Sequence, residues 1–510
     1  MAKQVEKWGL FEVELPGSDA GNPYLDVELS AKFTCADTMF EVSGFYDGNG
    51  RYRIRCMPTQ VGEWRYTTRS NRSELNEQTG SFTCVEPAKY NHGPVYVHDQ
   101  YHFAYADGTS YRSFGTTCYA WTHQGDELEE QTLKTLAEKP FNKIRMCVFP
   151  KHYPFNRNEP VYHPYERDAE GNFDFTRFNP KFFEHFEKRL SQLLELGIEA
   201  DIIIWHPYDR WGYSDMDEET DYRYLRYLIA RLSAFRHIWW SLANEYDFLL
   251  SVKPVERWNN FFKILQDEDP YQHLRSIHNG DPNANFDHTR PEITHVSIQN
   301  WDVKRTLEWR QTYGKPLVND ELEYEGNIPY VWGNISAAEE VHRFWITIVS
   351  GGYAGHGETY MHPEDILWWG KGGVLHGDSW KGIAFLRQII DESPAGGLTP
   401  IAEVSNNGLF PSMFTGWYWT RISGGMNGSY YLIYLGEHQI ANFYLWSASA
   451  DYDVEILDTR EMTITPTTIK AFDKATMEQQ TYSEFTTPTY YIELPTKPYL
   501  AIRIKRSKLE

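Results

Sequence analysis

The sequence predicts an α/β fold: a (β/α)8 TIM barrel flanked by an N-terminal and a C-terminal β-sandwich. Three observations carry that prediction. Short strands separated by Gly, Pro, Asn and Asp fill residues 1–90; an alternation of apolar strand, polar loop and amphipathic helix recurs eight times across 91–400; strands without helical periods return over 401–510. At 510 residues the chain is too long for one ordinary core, so division into several domains is expected on size alone.

Within residues 1–90 the stretches FEVEL, YLDVELSAKF, MFEVSGFYD, RYRIRCM, EWRYTT and GSFTCV read as strands. Asp47-Gly48-Asn49-Gly50 lies between two of them and marks a hairpin, because consecutive Gly and Asn positions accept positive φ. The eight barrel strands are expected at Tyr111–Cys118, Lys143–Phe149, Ala200–Trp205, Ile238–Leu242, Leu274–Ile277, His295–Ile298, Pro316–Asn319 and Gly352–Gly355. Between them run helices such as PKFFEHFEKRLSQLLELG, whose apolar residues recur every three or four positions and which Gly197 ends as a C-cap. A doubly wound open sheet is the alternative, but GGYAGHG (351 to 357) lacks the G-x-G-x-x-G spacing of a phosphate loop. After residue 400, YYLIYLG, ANFYLW, DYDVEIL, TYYIEL and LAIRIK read as the strands of the second sandwich.

A net charge of −22 opposes a nucleic-acid partner or an anionic membrane surface, since both would repel the chain at long range. No run of about 18 apolar residues could span a bilayer, and the N-terminal MAKQVEKWGLFEVEL has no signal-peptide core. The five cysteines are odd in number and contain no C-x-x-C pair, which predicts buried free thiols and a cytoplasmic location. Aromatic residues make up 16% of the chain, with 18 Trp and 35 Tyr, enough both to fill large cores and to offer ring faces to a flat ligand.

A (β/α)8 barrel carries its active site at the C-terminal ends of its strands. In this chain those positions hold Tyr119, Trp121 and His123; Arg145; His206, Asp209 and Trp211; Asn244 and Glu245; His278 and Asn279; Gln299, Asn300 and Trp301; Asp320 and Glu321; His356 and Glu358. Glu245 and Glu321 stand out, because each follows an apolar strand and they fall three βα units apart, so they face each other across the barrel. Two facing carboxyl groups are what glycoside hydrolysis requires. Strand alternation cannot separate Glu321 from Glu323 and Glu325, since all three share a face if the strand continues.

Three segments resemble a known group. SLANE resembles the strand-four motif of clan A glycoside hydrolases, KPLVNDE their strand-seven pattern of a Pro followed five positions later by a Glu, and FNKIRMCVF their strand-two segment with its Arg. Over essentially the whole chain the sequence resembles apiosidase-like bacterial hydrolases that carry a β-sandwich on each side of the barrel. The resemblance implies a retaining O-glycosidase without metal or cofactor: Glu321 as nucleophile, Glu245 as acid/base, and Arg145 supporting Glu321. Asn244, His206, His278, Trp121, Trp301 and Glu358 complete the expected substrate-binding set. The chain departs from the clan at the end of strand six, where Gln299-Asn300-Trp301 replaces the usual Tyr, and at strand eight, where the expected Trp is absent and Trp368 and Trp369 follow in the next loop.

The expected partner is a carbohydrate, cleaved exo-fashion from short oligosaccharides or small glycosides, with the resemblance favouring release of a pentose. Loops 150 to 180 and 360 to 380 would narrow the pocket. The flanking sandwiches are expected to cap the barrel or build a homo-oligomer, with carbohydrate-binding modules as the alternative. Two rival functions stand beside this one: a noncatalytic carbohydrate-binding protein on a hydrolase-like barrel, and a metal-dependent barrel hydrolase, although no H-E-x-x-H spacing supports the latter.

Overall fold

The computed structural model describes residues 3–404, 409–410, 421–448, 451–472 and 488–507. Its centre is a parallel eight-stranded sheet made of β1 (Phe114–Thr117), β2 (Lys143–Cys147), β3 (Glu199–Trp205), β4 (Ile238–Ala243), β5 (Arg275–Ser276), β6 (Val296–Gln299), β7 (Leu317–Glu321) and β8 (Tyr353–His356). The hydrogen-bonded order is β5-β4-β3-β2-β1-β8-β7-β6, so the sheet curls nearly into a closed barrel. At the seam between β5 and β6 the backbone contributes a bond from Thr294 N to Arg275 O at 3.0 Å. The Asn279 side chain spans the rest, accepting from Gln299 N at 3.2 Å and donating to Gln299 O at 3.3 Å. Each of the eight strands read from the sequence overlaps one of these. Their near-continuous burial explains why they read as apolar runs rather than alternations: both faces of a barrel sheet are covered.

Close packing of β7 against β8 needs Gly355, where a Cβ would lie 2.5 Å from the Asp320 carbonyl oxygen. Inside the barrel the Lys143 ammonium bonds Asp201 at 2.7 Å and Asp320 at 2.8 Å, and all three are buried. A small antiparallel sheet (Val95–His98, His102–Tyr105, Ser110–Tyr111) precedes β1 and plugs the N-terminal end. Its Phe103 packs 5.1 Å from the Trp239 ring and 5.1 Å from that of Tyr353.

At the base of β3, Glu199 is buried, and among the described residues its side-chain hydrogen-bond partner is the Trp239 indole N–H at 3.0 Å. Burial pushes its carboxyl up to about 8. The folded state therefore holds a proton that the unfolded chain releases near 4.5, and the stability this contributes is present below that value and lost as pH rises through about 8. Glu199→Gln is expected to flatten the fall in thermal midpoint between pH 5 and 8, gaining on the order of 4 kcal/mol at pH 8. Thermal melts of the two proteins across that range measure it, and parallel curves would refute the assignment.

The N-terminal unit consists of a five-stranded sheet (Gln4–Glu6, Thr79–Val85, Gly62–Ser70, Leu29–Cys35, Thr38–Ser43 in spatial order) and a three-stranded one (Phe11–Pro16, Arg51–Cys56, Phe45–Tyr46). They enclose one core around Phe33, Trp64 and Phe82. The Asp47-to-Gly50 turn forms as its composition dictates, with positive φ at Gly48, Asn49 and Gly50. This unit docks on two barrel helices, Pro180–Glu195 and Glu218–Leu232, through a buried charge network. Arg55 bonds Glu187 at 2.8 Å, and Arg231 bonds Glu187 at 2.6 Å and Asp47 at 2.7 Å.

The C-terminal unit pairs a six-stranded with a three-stranded sheet and seats on helices Ala337–Val349 and Ser379–Asp391. Tyr434 stacks on Trp345 at 5.2 Å and bonds His342 at 2.8 Å, and Arg503 bonds Glu392 at 2.5 Å. Both flanking units brace helices on the outside of the barrel. All five cysteines are buried free thiols, and no described helix is long and apolar enough to cross a membrane.

Candidate active site

β4 ends at Ala243, and the chain then turns through Glu245 in the left-handed region, at φ 57 and ψ 54. That conformation is costly for a residue with a Cβ and signals a side chain held for a purpose. Two features of the neighbouring β5 loop stabilise the turn. The Asp247 carboxylate accepts from the Gly280 and Asp281 N–H groups at 2.5 and 2.8 Å, and Gly280 leaves room where a Cβ would lie 2.6 Å from the Phe248 ring and 3.0 Å from the Glu245 Cβ.

The Glu245 carboxyl thus opens into a cavity of about 370 Å³ whose walls include Glu321, Asn244, Tyr119, Tyr208 and Trp369. Glu245 is buried, and its pKa is pushed up to about 7, first by burial and then by the nearby charge of Glu321. Lys151, Tyr208 and Arg145 pull in the other direction. It can hold a proton close to neutrality, as a general acid must.

Glu321 closes β7 and faces the same cavity. Strand alternation left three candidates, and the structure separates them because the strand stops at Glu321. Glu323, at φ 72 on the edge of the same cavity, is tied to Arg343 at 2.7 Å. Glu325 is buried and accepts from the Asp378 and Ser379 N–H groups, which anchors the start of helix Ser379–Asp391. Glu321 alone meets a catalytic-type environment: the Tyr119 hydroxyl donates to it, Arg145 Nη1 lies 3.7 Å away and His278 Nε2 3.9 Å away.

Tyr119 supplies what the missing strand-six Tyr would have given. Its hydroxyl accepts from Arg145 at 3.1 Å, and Asn244 Oδ1, which accepts from Arg145 at 2.7 Å, lies 2.9 Å from the same oxygen. Arg145, Asn244 and Tyr119 therefore form one buried frame beneath Glu321 that holds its carboxyl in place. Arg145 acts from below rather than from the cavity wall.

Four expected binding residues stand elsewhere. Trp121 is buried in the barrel core with its indole N–H on the Met146 sulfur at 3.3 Å. His206 is buried against the Phe149 carbonyl at 3.2 Å, and burial pulls its pKa down to about 3. Glu358 accepts from the His376 and Gly377 N–H groups at 2.7 Å each and anchors the β8 loop. His278 lies under Glu321, neutral because burial drives its pKa well below the usual range. Trp301 does line the mouth, 55% exposed.

The remaining wall is aromatic and comes from loops. Tyr153, Pro154 and Phe155 follow β2, Tyr330 and Trp332 follow β7, and Trp369 follows β8. Trp369 packs 4.7 Å from Trp332, 4.9 Å from Tyr153 and 5.5 Å from Tyr119, closing one end. Loops 150 to 180 and 360 to 380 thus contribute as expected, and the loop after β7 adds a third side. Lys151 also reaches this cavity, and no sequence motif pointed to it. Among the described residues, the one His/Cys/Asp/Glu group close enough to share a metal, Asp126 with Glu129 and His185, lies on outer helices and is already paired with Arg189.

Residues 97–382 match the family model described as "Apiosidase-like, catalytic domain". Residues 4–71 and 419–505 match two domain families of unknown function, DUF5060 and DUF5605. A candidate glycoside hydrolase from Bacteroides vulgatus is 38% identical, covering 99% of this chain and 100% of its own, with a TM-score of 0.88. A glycoside hydrolase family 5 structure from Bacteroides vulgatus, at 14% identity, covers 83% of this chain and 95% of its own with a TM-score of 0.61, which speaks to fold alone. No curated protein matches the chain.

Proposed function

The chain belongs to the apiosidase-like family and is a glycoside hydrolase, and from that premise we propose a retaining exo-glycosidase that releases single sugars, a pentose rather than a hexose, from short oligosaccharides or small glycosides. The observation that carries this reading is the pairing across one cavity of a carboxyl that holds its proton to about pH 7, Glu245, with a carboxylate framed by Tyr119 and Arg145, Glu321. In the first step Glu321 attacks the anomeric carbon while Glu245 protonates the departing oxygen. In the second, Glu245 takes a proton from water as that water displaces Glu321 from the sugar. Asn244 and Arg145 hold the Glu321 carboxyl in place through Tyr119.

The shape of the cavity supports exo action. The cavity is closed at one end by Trp369, Trp332 and Tyr153 and opens past Trp301, Tyr330 and Val331, so a terminal sugar fits the closed end and its leaving group lies against the exposed rings. The family description supports a pentose in the closed end. Residues 91–400 form the catalytic unit in this scheme, with 1–90 and 401–510 as braces, and the buried free thiols suit a reducing, cytoplasmic setting.

The test is a panel of 4-nitrophenyl α- and β-pentosides and hexosides, followed by proton NMR of the best substrate in the first minutes of reaction. The first product anomer should keep the substrate's configuration. An inverted first product would refute the nucleophilic role of Glu321.

A further inference from the structure

We propose that Lys151 recognises the sugar: its ammonium donates hydrogen bonds to hydroxyl oxygens of the unit held between Glu245 and Glu321. The inference rests on the glycosidase reading above and deepens it by naming a specificity-determining residue.

Lys151 follows β2 and is only 2% exposed, yet its side chain lines the catalytic cavity. Two comparably buried lysines show how this chain normally treats an enclosed ammonium. Lys143 sits between Asp201 and Asp320, and Lys253 bonds both carboxylate oxygens of Asp221 at 2.6 and 2.8 Å. Lys151 has no such partner: among the described residues its Nζ takes part in no hydrogen bond or ion pair.

What surrounds it is ring faces. Nζ lies 3.4 Å from the Tyr119 ring centroid, 4.4 Å from Tyr208, 5.0 Å from Tyr153 and 5.2 Å from Trp369. The negative faces of these rings offset the charge without directional oxygen acceptors. Burial lowers the Lys151 pKa, while Cys147, Glu245 and Glu321 act to restore it.

A cation stabilised this way keeps its N–H groups for whatever enters the cavity, and a sugar hydroxyl offers the missing lone pairs. Three of these four residues make the geometry selective. Tyr119 also holds Glu321, Tyr208 interacts with Glu245, and Trp369 closes the cavity, so the ammonium is fixed relative to both carboxyls. A buried donor left unpaired penalises a substrate that lacks the matching hydroxyl, which is how such sites discriminate strongly.

The experiment takes the panel member that the full-length wild type cleaves fastest, adds hexuronosides to the panel, and prepares each monodeoxy analogue of the best substrate. kcat/KM is measured for wild type, Lys151→Met and Lys151→Gln. Lys151→Met should lose about 100-fold on the parent glycoside, but only about threefold on the one or two analogues that lack the contacted hydroxyl. Lys151→Gln, which keeps an N–H donor of similar reach, should recover part of the loss on the parent and none on those analogues. Comparing enzymes on the same compound cancels the intrinsic reactivity of each deoxy sugar.

A merely structural lysine would give equal losses on every analogue, and that pattern overturns the proposal, as does an unchanged Lys151→Met. A hexuronoside as the preferred substrate, with the loss confined to it, overturns the hydroxyl assignment in favour of a carboxylate. If the wild type cleaves no panel member, or Glu321→Ala stays active, the glycosidase reading itself fails.

Discussion

Glu321→Ala is expected to lower kcat by about 10⁴-fold or more on every substrate, because the covalent step loses its nucleophile. Azide enters the space left by the side chain and should restore turnover of glycosides with activated leaving groups, giving a glycosyl azide of inverted configuration. The variant should stay folded, since Glu321 is a rim residue and the frame beneath it, Arg145 on Asn244 and Tyr119, survives its removal. Retained activity with natural leaving groups would show that another group attacks. Glu323 and Glu325 are poor substitutes: one is paired with Arg343 and the other binds the backbone at residues 378 and 379.

Removing Glu245 has a different signature. Glu245→Ala should lose about 10²- to 10⁴-fold in kcat/KM on glycosides with poor leaving groups, and much less on dinitrophenyl glycosides, whose leaving group departs without a proton. The pH profile supplies the second readout. In the wild type, kcat/KM should fall on the alkaline side with an apparent pKa of about 7, as the Glu245 proton is lost. That limb should be absent from Glu245→Ala. In Glu321→Ala rescued by azide it should move to lower pH, because the second-largest influence raising the Glu245 pKa, the charge of Glu321, has gone. An alkaline limb that persists in Glu245→Ala would assign the acid to a different residue.

Much of the architecture was legible in the chain. The eight strands read from apolar runs coincide with β1 to β8 because a barrel strand, covered on both faces, cannot tolerate alternation. Glu245 and Glu321 were legible for the converse reason: polar residues directly after such a run must lie at the barrel rim. Aromatic content, by contrast, said nothing of location. Trp121 and Trp301 both follow strands, yet one is in the core and the other half exposed at the cavity mouth. His206 and Glu358 show the same limit. A His or Glu after a strand can equally turn back to a carbonyl or to loop N–H groups, and only the packing of the next loop decides which.

The sequence by itself determined the division into sandwich, barrel and sandwich, and the two carboxyls that face each other across the rim. Both follow from local patterns, hydrophobic period and strand-end position, which a linear chain carries within a few residues. Tertiary structure alone decided that Tyr119 after the first strand holds the carboxyl of the seventh, that Glu323 and Glu325 are paired with Arg343 and with loop N–H groups, and that Lys151 sits among four rings with no oxygen partner among the described residues. Those relations join residues far apart in the chain, brought within a few ångströms only when the barrel curls and its loops fold over the rim.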